Sequence, residues 1–244
     1  MDEQLINNIV EKNVGHTSYG NHTYSDLWYV CNTNKICITF TPRGACSIVF
    51  QQFLDINNLL GEALKYNRFI HFYRELFNKY SKIENINTLI DKQYTFIKFI
   101  MNPYIRAVSI YRVQESSNLS FREYLKEFKN LKLNNNDEFH NKTQYIEGEE
   151  SVITKYIKID KNEKFDIKLF DGSSYTLDVN RYTSDHHGLK NINNTEFCGD
   201  VPRHLINENL PKTYRYFYDE EIKSMVETFY GIDIQKYGYS FDDF

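Results

Sequence analysis

The stretch "CITFTPRGACSIVFQQFL", residues 37–54, decides how this chain is read. With Ile36 in front, its first part is a run of β-formers in which Ile36, Ile38 and Phe40 alternate with Cys37 and Thr39, the pattern of a buried strand. Its last part sets Val49, Phe50, Phe53 and Leu54, then Ile56 and Leu60, at helical spacing on one apolar face, with Ser47 near the first turn. Between strand and helix lie Thr41, Pro42, Arg43, Gly44, Ala45 and Cys46. Such a turn gathers unpaired backbone N–H groups and the positive end of a helix dipole at one point, and anions bind there. Gly44 lets the backbone come close to a bound group, Arg43 offers a fork of donors and Ser47 adds a hydroxyl. The turn therefore reads as a phosphate-binding one, although, standing alone, a plain connection with a surface arginine explains it as well or better. The Walker pattern GxxxxGK[ST] is absent, which argues against an ordinary ATP or GTP hydrolase or kinase.

Outward from this stretch the chain alternates. "NRFIHFYRELFNKY" has helical spacing, and "YTFIKFI" (94–100) is an almost continuously apolar strand of the kind that parallel sheets bury on both faces. Pro103 suits the first turn of a helix through "YIRAVSIYR", and Ser120 with Glu123 forms a capping box at the start of the next one. Residues 132–150 read as a polar loop, 152–159 as a strand, and 160–210 as loop-rich. The last helix starts at Asp219 with two glutamates and is expected to stop at Gly231. Residues 1–34 are polar, weakly patterned and expected to be an extension. The expected fold is α/β, one domain over 35–244 with a central, mostly parallel sheet flanked by helices.

Composition limits the function classes. The 244 residues carry a formal net charge of −4, which argues against a generic nucleic-acid binder. Cys31, Cys37, Cys46 and Cys198 have neither CxxC spacing nor the density of a disulfide scaffold, so free thiols in a reducing compartment are expected. No secretory leader and no membrane span is read from the sequence, and a cytoplasmic protein is expected.

Two motifs in order carry a resemblance. "TPRGACS" follows one strand and "FIMNPYIRAVSIYR" follows a later one. The chain thereby resembles the sulfotransferases that use 3′-phosphoadenosine-5′-phosphosulfate (PAPS), in particular their carbohydrate branch. There a Pro-Lys-x-Gly-x-Ser/Thr loop cradles the 5′-phosphosulfate, and Arg43 stands here in the lysine position. A later Arg-Asp/Asn-Pro-Tyr-x-Arg-x-x-Ser-x-Tyr segment holds the 3′-phosphate, matched by Asn102, Pro103, Tyr104, Arg106, Ser109 and Tyr111. "HNKTQYI" and the closing "YFYDEEIKSMVETFYGIDIQKYGYSF" are weaker similarities. The motif's first arginine is Met101 here, which offers no donor; Arg106, Lys98, Arg112 or another loop residue would have to replace it, or the donor differs.

The resemblance implies a P-loop-like three-layer fold and transfer of a sulfuryl group from PAPS to an acceptor hydroxyl on a carbohydrate or other small molecule, with no metal. It implies that Thr41, Pro42, Arg43, Gly44, Ala45, Cys46 and Ser47 hold the 5′ end of the donor, and Arg106 with Ser109 the 3′-phosphate. Arg43 would also stabilise charge on the leaving phosphate. A general base needs a pKa that can be brought near neutrality, which favours His71, the one histidine between the two motifs, with Glu75 one turn on as the fallback. His140 and His204 are candidates for the acceptor cleft. "DHHG" (185–188) invites a metal reading, but adjacent histidines diverge and no partner set accompanies them. An alternative is a non-catalytic nucleotide-binding or interaction protein that keeps the fold.

Overall fold

A computed structural model describes residues 9, 12, 14–18, 27–41, 43, 45–113, 118–128, 141–182, 194–206, 211 and 213–243. Its contacts fall into two compact units, Met1–Ile100 with Gly148–His186, and Met101–Glu147 with His187–Phe244. The fold class is α/β. The sequence had suggested one domain preceded by an extension, whereas two strands from that extension belong to the central sheet.

The first unit contains β1 (Val14–Ser18), β2 (Leu27–Cys31), β3 (Ile36–Phe40), α1 (Cys46–Ile56), α2 (Leu60–Tyr66), α3 (Ile70–Tyr80), β4 (Lys82–Ile83), α4 (Ile86–Asp91), β5 (Thr95–Ile100) and β6 (Lys155–Lys158). A two-stranded ribbon follows, β7 (Lys164–Lys168) and β8 (Ser174–Asp178). The six-stranded sheet has the order β4-β1-β2-β3-β5-β6. β3 pairs in parallel with β5, β5 with β6 and β1 with β4, while β2 joins β1 and β3 antiparallel. At the β1–β4 edge the two backbones nearly touch, since a Cβ on Gly15 would lie 2.6 Å from the Lys82 carbonyl oxygen. That glycine, with His16 and Thr17, gives β1 too little apolar pattern to be recognised as a strand.

Alternation along the strands builds two cores. On one face Trp28, Val30, Cys37 and Phe96 pack with Leu89 and Ile86 of α4, Trp28 meeting Phe96 edge to face at 5.4 Å. On the other face Tyr29 is the hub: Phe40, Phe50, Phe53 and Phe77 lie 5.8, 4.8, 5.4 and 5.8 Å from it between ring centroids. Phe50 and Phe53 come from α1 and Phe77 from α3, so these two helices cover this face. β3 is buried at every position, as the strand reading required.

The second unit contains α5 (Pro103–Val113), α6 (Phe121–Glu127), α7 (Arg203–Ile206) and α8 (Glu220–Tyr237), packed around Tyr104, Val108, Tyr111, Phe121, Ile222 and Val226. The capping box is present: Ser120 Oγ accepts from Glu123 N at 3.3 Å and Glu123 Oε2 from Ser120 N at 2.8 Å. Asp219 caps α8 by accepting from Ile222 N at 2.9 Å. The expected stop at Gly231 is not where α8 ends. The helix is only kinked, at Tyr230 (φ −117°, ψ 20°), and runs on to Gly238, whose φ of 62° is the left-handed turn that ends it. Packing of Ile222, Val226 and Tyr230 holds the helix through a residue that propensity alone would make a terminator.

Lys98 of β5 is 2% exposed and its Nζ lies 2.5 Å from Oε2 of the fully buried Glu149. Breaking a buried pair strands a charge. We expect Glu149→Ala to cost about 3–5 kcal/mol, and Lys98→Met combined with Glu149→Leu to cost clearly less, in urea unfolding. A double variant as unstable as the single would contradict this account.

Candidate functional site

The parallel register of β3 and β5, Ile36 opposite Thr95 and Phe40 opposite Phe99, brings their carboxyl ends to one edge of the sheet. Ligands of open α/β sheets bind beyond such ends. The chain leaves β3 through Thr41, which is buried, and reaches α1 at Cys46. It turns with Arg43 at φ 66° and Ala45 at φ 56°, two side-chain-bearing residues in left-handed conformation. Each costs about 1–2 kcal/mol, and such strain persists where the surroundings enforce it.

Ala45 starts α1 with its carbonyl, which accepts from Ile48 N and Val49 N at 3.0 Å. No side chain caps this helix and its first turn holds no acidic residue. Ser47, in that first turn and buried, points its Oγ at His71 Nε2, 2.9 Å away. His71 is the second residue of α3, so the two helix starts meet there. Its imidazole is pushed down to about 4, first by burial, then by the cations of Arg74 and Arg43, with Glu75 working in the opposite direction. At neutral pH His71 is therefore uncharged and shares one hydrogen bond with the Ser47 hydroxyl.

Three residues expected in the site, Arg43, Ser47 and His71, are thus brought together within the first unit. Ala45 and the half-buried Cys46 form the start of α1, and Glu75 lies exposed one turn beyond His71. Pro42, Gly44 and His140 lie outside the described residues, as does the DHHG segment. Arg74 was missed. The signal available was its place three residues after His71 on an amphipathic helix.

In the second unit Ser109 is half-buried on α5, and His204 is exposed on the four-residue α7. Arg106 is 1% exposed, with its guanidinium 5.7 Å from the centroid of the Tyr230 ring. Of the other residues weighed as substitutes for the missing arginine, Lys98 is held by Glu149, and Arg112 donates to Tyr214 Oη at 2.8 Å. Met101 is gripped through its backbone: its N–H donates to Gln144 Oε1 at 2.9 Å and its carbonyl accepts from Gln144 Nε2 at 2.7 Å. The buried Asp233 carboxylate in turn accepts from Gln144 N and Tyr145 N, both at 2.8 Å. The 144–145 segment and Met101, two residues before α5, are therefore fixed to α8. Sequence reasoning had picked out the HNKTQYI element but not this role for its glutamine.

Among the described residues no group of three or more His, Cys, Asp or Glu side chains could hold a metal ion, and no helix is long and apolar enough to cross a membrane. The four cysteines are free thiols, as their spacing suggested. No family model matches the chain, and comparisons with curated proteins and with solved structures find no match.

The low proton affinity of His71 has a measurable sign. The unfolded chain takes up a proton near pH 6.5 that folded His71 refuses down to about 4, so its contribution to stability is whole above 6.5 and is lost as pH falls to about 4. His16, also held down by burial, acts in the same direction. We expect imidazole signals of His71 to titrate near pH 4 by NMR, and Arg74→Ala to move the midpoint up. A midpoint near 6.5 would contradict the buried, cation-flanked setting.

Proposed function

We propose that this chain is a sulfotransferase that moves a sulfuryl group from PAPS to a hydroxyl of a carbohydrate acceptor in the cytoplasm. The observation that carries the reading is the Ser47 to His71 contact, 2.9 Å long, beside Arg43 at the turn after the central strand β3. It unites a cation, a hydroxyl and an uncharged imidazole at an uncapped helix start, and these are residues that the resemblance assigns to donor binding and proton removal. On this reading the sheet and its turn are the P-loop-like core of such an enzyme.

The donor supplies an activated sulfuryl group bound to a phosphate that can leave. In the transfer the acceptor oxygen bonds to sulfur while the bond from sulfur to the 5′-phosphate oxygen breaks, and 3′-phosphoadenosine-5′-phosphate departs. The proton of the acceptor hydroxyl goes to His71 Nε2. Arg43 offsets the charge that grows on the departing oxygen. Ser47 links the two events. An anion drawn into the turn competes for its hydroxyl and releases Nε2, and the added negative charge raises His71 from about 4 toward the range in which a base works.

Two observations favour a second reading. Arg106, a candidate for the 3′-phosphate along with Ser109, is 1% exposed and lies over Tyr230, and Met101 offers no donor where the family has arginine. A non-catalytic nucleotide-binding or interaction protein that kept the fold would tolerate both. Calorimetry with 3′-phosphoadenosine-5′-phosphate separates the readings, since the enzyme is expected to release saturable heat and absence of heat at high ligand concentration would sink the transferase. For Arg43→Ala we expect turnover to fall by about 100-fold or more, with the unfolding midpoint nearly unchanged. Unaltered turnover would remove Arg43 from the chemistry.

A further inference from the structure

The start of α3 holds two phenylalanine rings in contact, one of which, Phe69, lies beside His71. Phe69 occupies the position before the helix, where Asn67 Oδ1 accepts its N–H at 2.7 Å and its own carbonyl accepts from Phe72 N at 3.1 Å. These bonds fix the backbone that carries both rings. The rings meet edge to face, 5.4 Å between centroids at 63°, and the Phe69 ring is 5.0 Å from the His71 ring.

Phe72 is 50% exposed, although Tyr73, Leu76 and Phe77 on the same helix are buried. Lone exposed apolar side chains are ordinary, so exposure alone says little. The surroundings say more. Arg68 precedes the pair and Glu75 follows Phe72 by three residues, one helical turn, and both are exposed. The apolar pair thus adjoins, through Phe69, the imidazole read above as the base, and an exposed cation and an exposed carboxylate lie close to it along the chain.

We infer that Phe69 and Phe72 are the platform for the acceptor's sugar ring, with Arg68 and Glu75 at its polar rim. This rests on the transferase reading only in taking His71 as the group that the acceptor hydroxyl approaches. A pyranose has an apolar face of C–H groups and hydroxyls around its edge, which matches rings bordered by hydrogen-bonding charges. A phenol would use the rings but bring a single hydroxyl to the charges, where a pyranose brings several. Two rings inclined at 63° form a corner, which suits a puckered ring better than a flat one. Glu75 then serves to hold a sugar hydroxyl, with the proton transfer left to His71.

The test uses the full chain without donor, titrated with methyl β-D-glucopyranoside while the His71 imidazole signals are followed by NMR. A saturable shift is expected, and Phe72→Ala should weaken the apparent affinity by about fivefold or more while Phe72→Tyr retains it. Half-exposed Phe72 can be truncated with little loss of folding, which the unfolding midpoint verifies. 4-Ethylphenol should bind more weakly than the glucoside, as judged by the concentration at half-saturation. No shift with the glucoside, equal affinity in Phe72→Ala, or tighter binding of the phenol would overturn the platform. Since no donor is present, a failure here is distinct from a failure to bind 3′-phosphoadenosine-5′-phosphate, which would sink the transferase reading instead.

Discussion

Strand β3 is covered on both faces, and most of what is distinctive in the first unit follows from that. Its backbone is paired on one side by antiparallel β2 and on the other by parallel β5, and its side chains enter two separate cores. No ligand can reach the side chains inside such a strand, so chemistry is confined to where the chain leaves it. The chain leaves through a turn with two left-handed residues, Arg43 and Ala45, and that turn aims α1 back across the sheet. Phe50 and Phe53 of α1 and Phe77 of α3 then settle on the same ring, Tyr29. Because both helices are anchored to one aromatic group, their first turns lie side by side. The contact of Ser47 with His71 is a consequence of hydrophobic packing a few residues further along.

The electrostatic state of the site follows from the same packing. Burial and two neighbouring cations keep His71 uncharged, while Glu75 alone pulls the other way. An imidazole in this state accepts a proton readily only when negative charge arrives nearby. In the proposed transfer, anion capture and proton acceptance would be coupled through Arg43, with Ser47 the side chain shared by both.

Much of this fold was legible in the sequence, because β3, β5 and α1 carry strong periodic patterns and the caps at Ser120 and Asp219 are local signals. What escaped did so for physical reasons. β1 is a strand because β2 and β4 pair with it, and its Gly15, His16 and Thr17 show no pattern of their own. The β7–β8 ribbon had a visible Asp171-Gly172 hairpin signal and half-buried alternation, but it sat in a region rich in polar residues. Gly231 misled because tertiary packing of α8 outweighs a local preference. In the candidate site, residue types could be chosen from sequence, and Arg43, Ser47 and His71 were the ones chosen. The bond between Ser47 and His71 spans 24 residues and depends on how two helices pack, and the grip of Asp233 on Gln144 spans 89. Such pairings leave no local trace. Arg106 was legible as a cation but not as one buried over Tyr230.

The central claim is that the turn after β3 captures an anion and that this capture prepares His71. The most direct test is the midpoint of His71, followed by NMR without and with saturating 3′-phosphoadenosine-5′-phosphate. The account predicts a midpoint near 4 in the free chain and an upward move of about 1 to 3 with the ligand bound, lost in Arg43→Ala. A midpoint that stays in place while the ligand binds would contradict it.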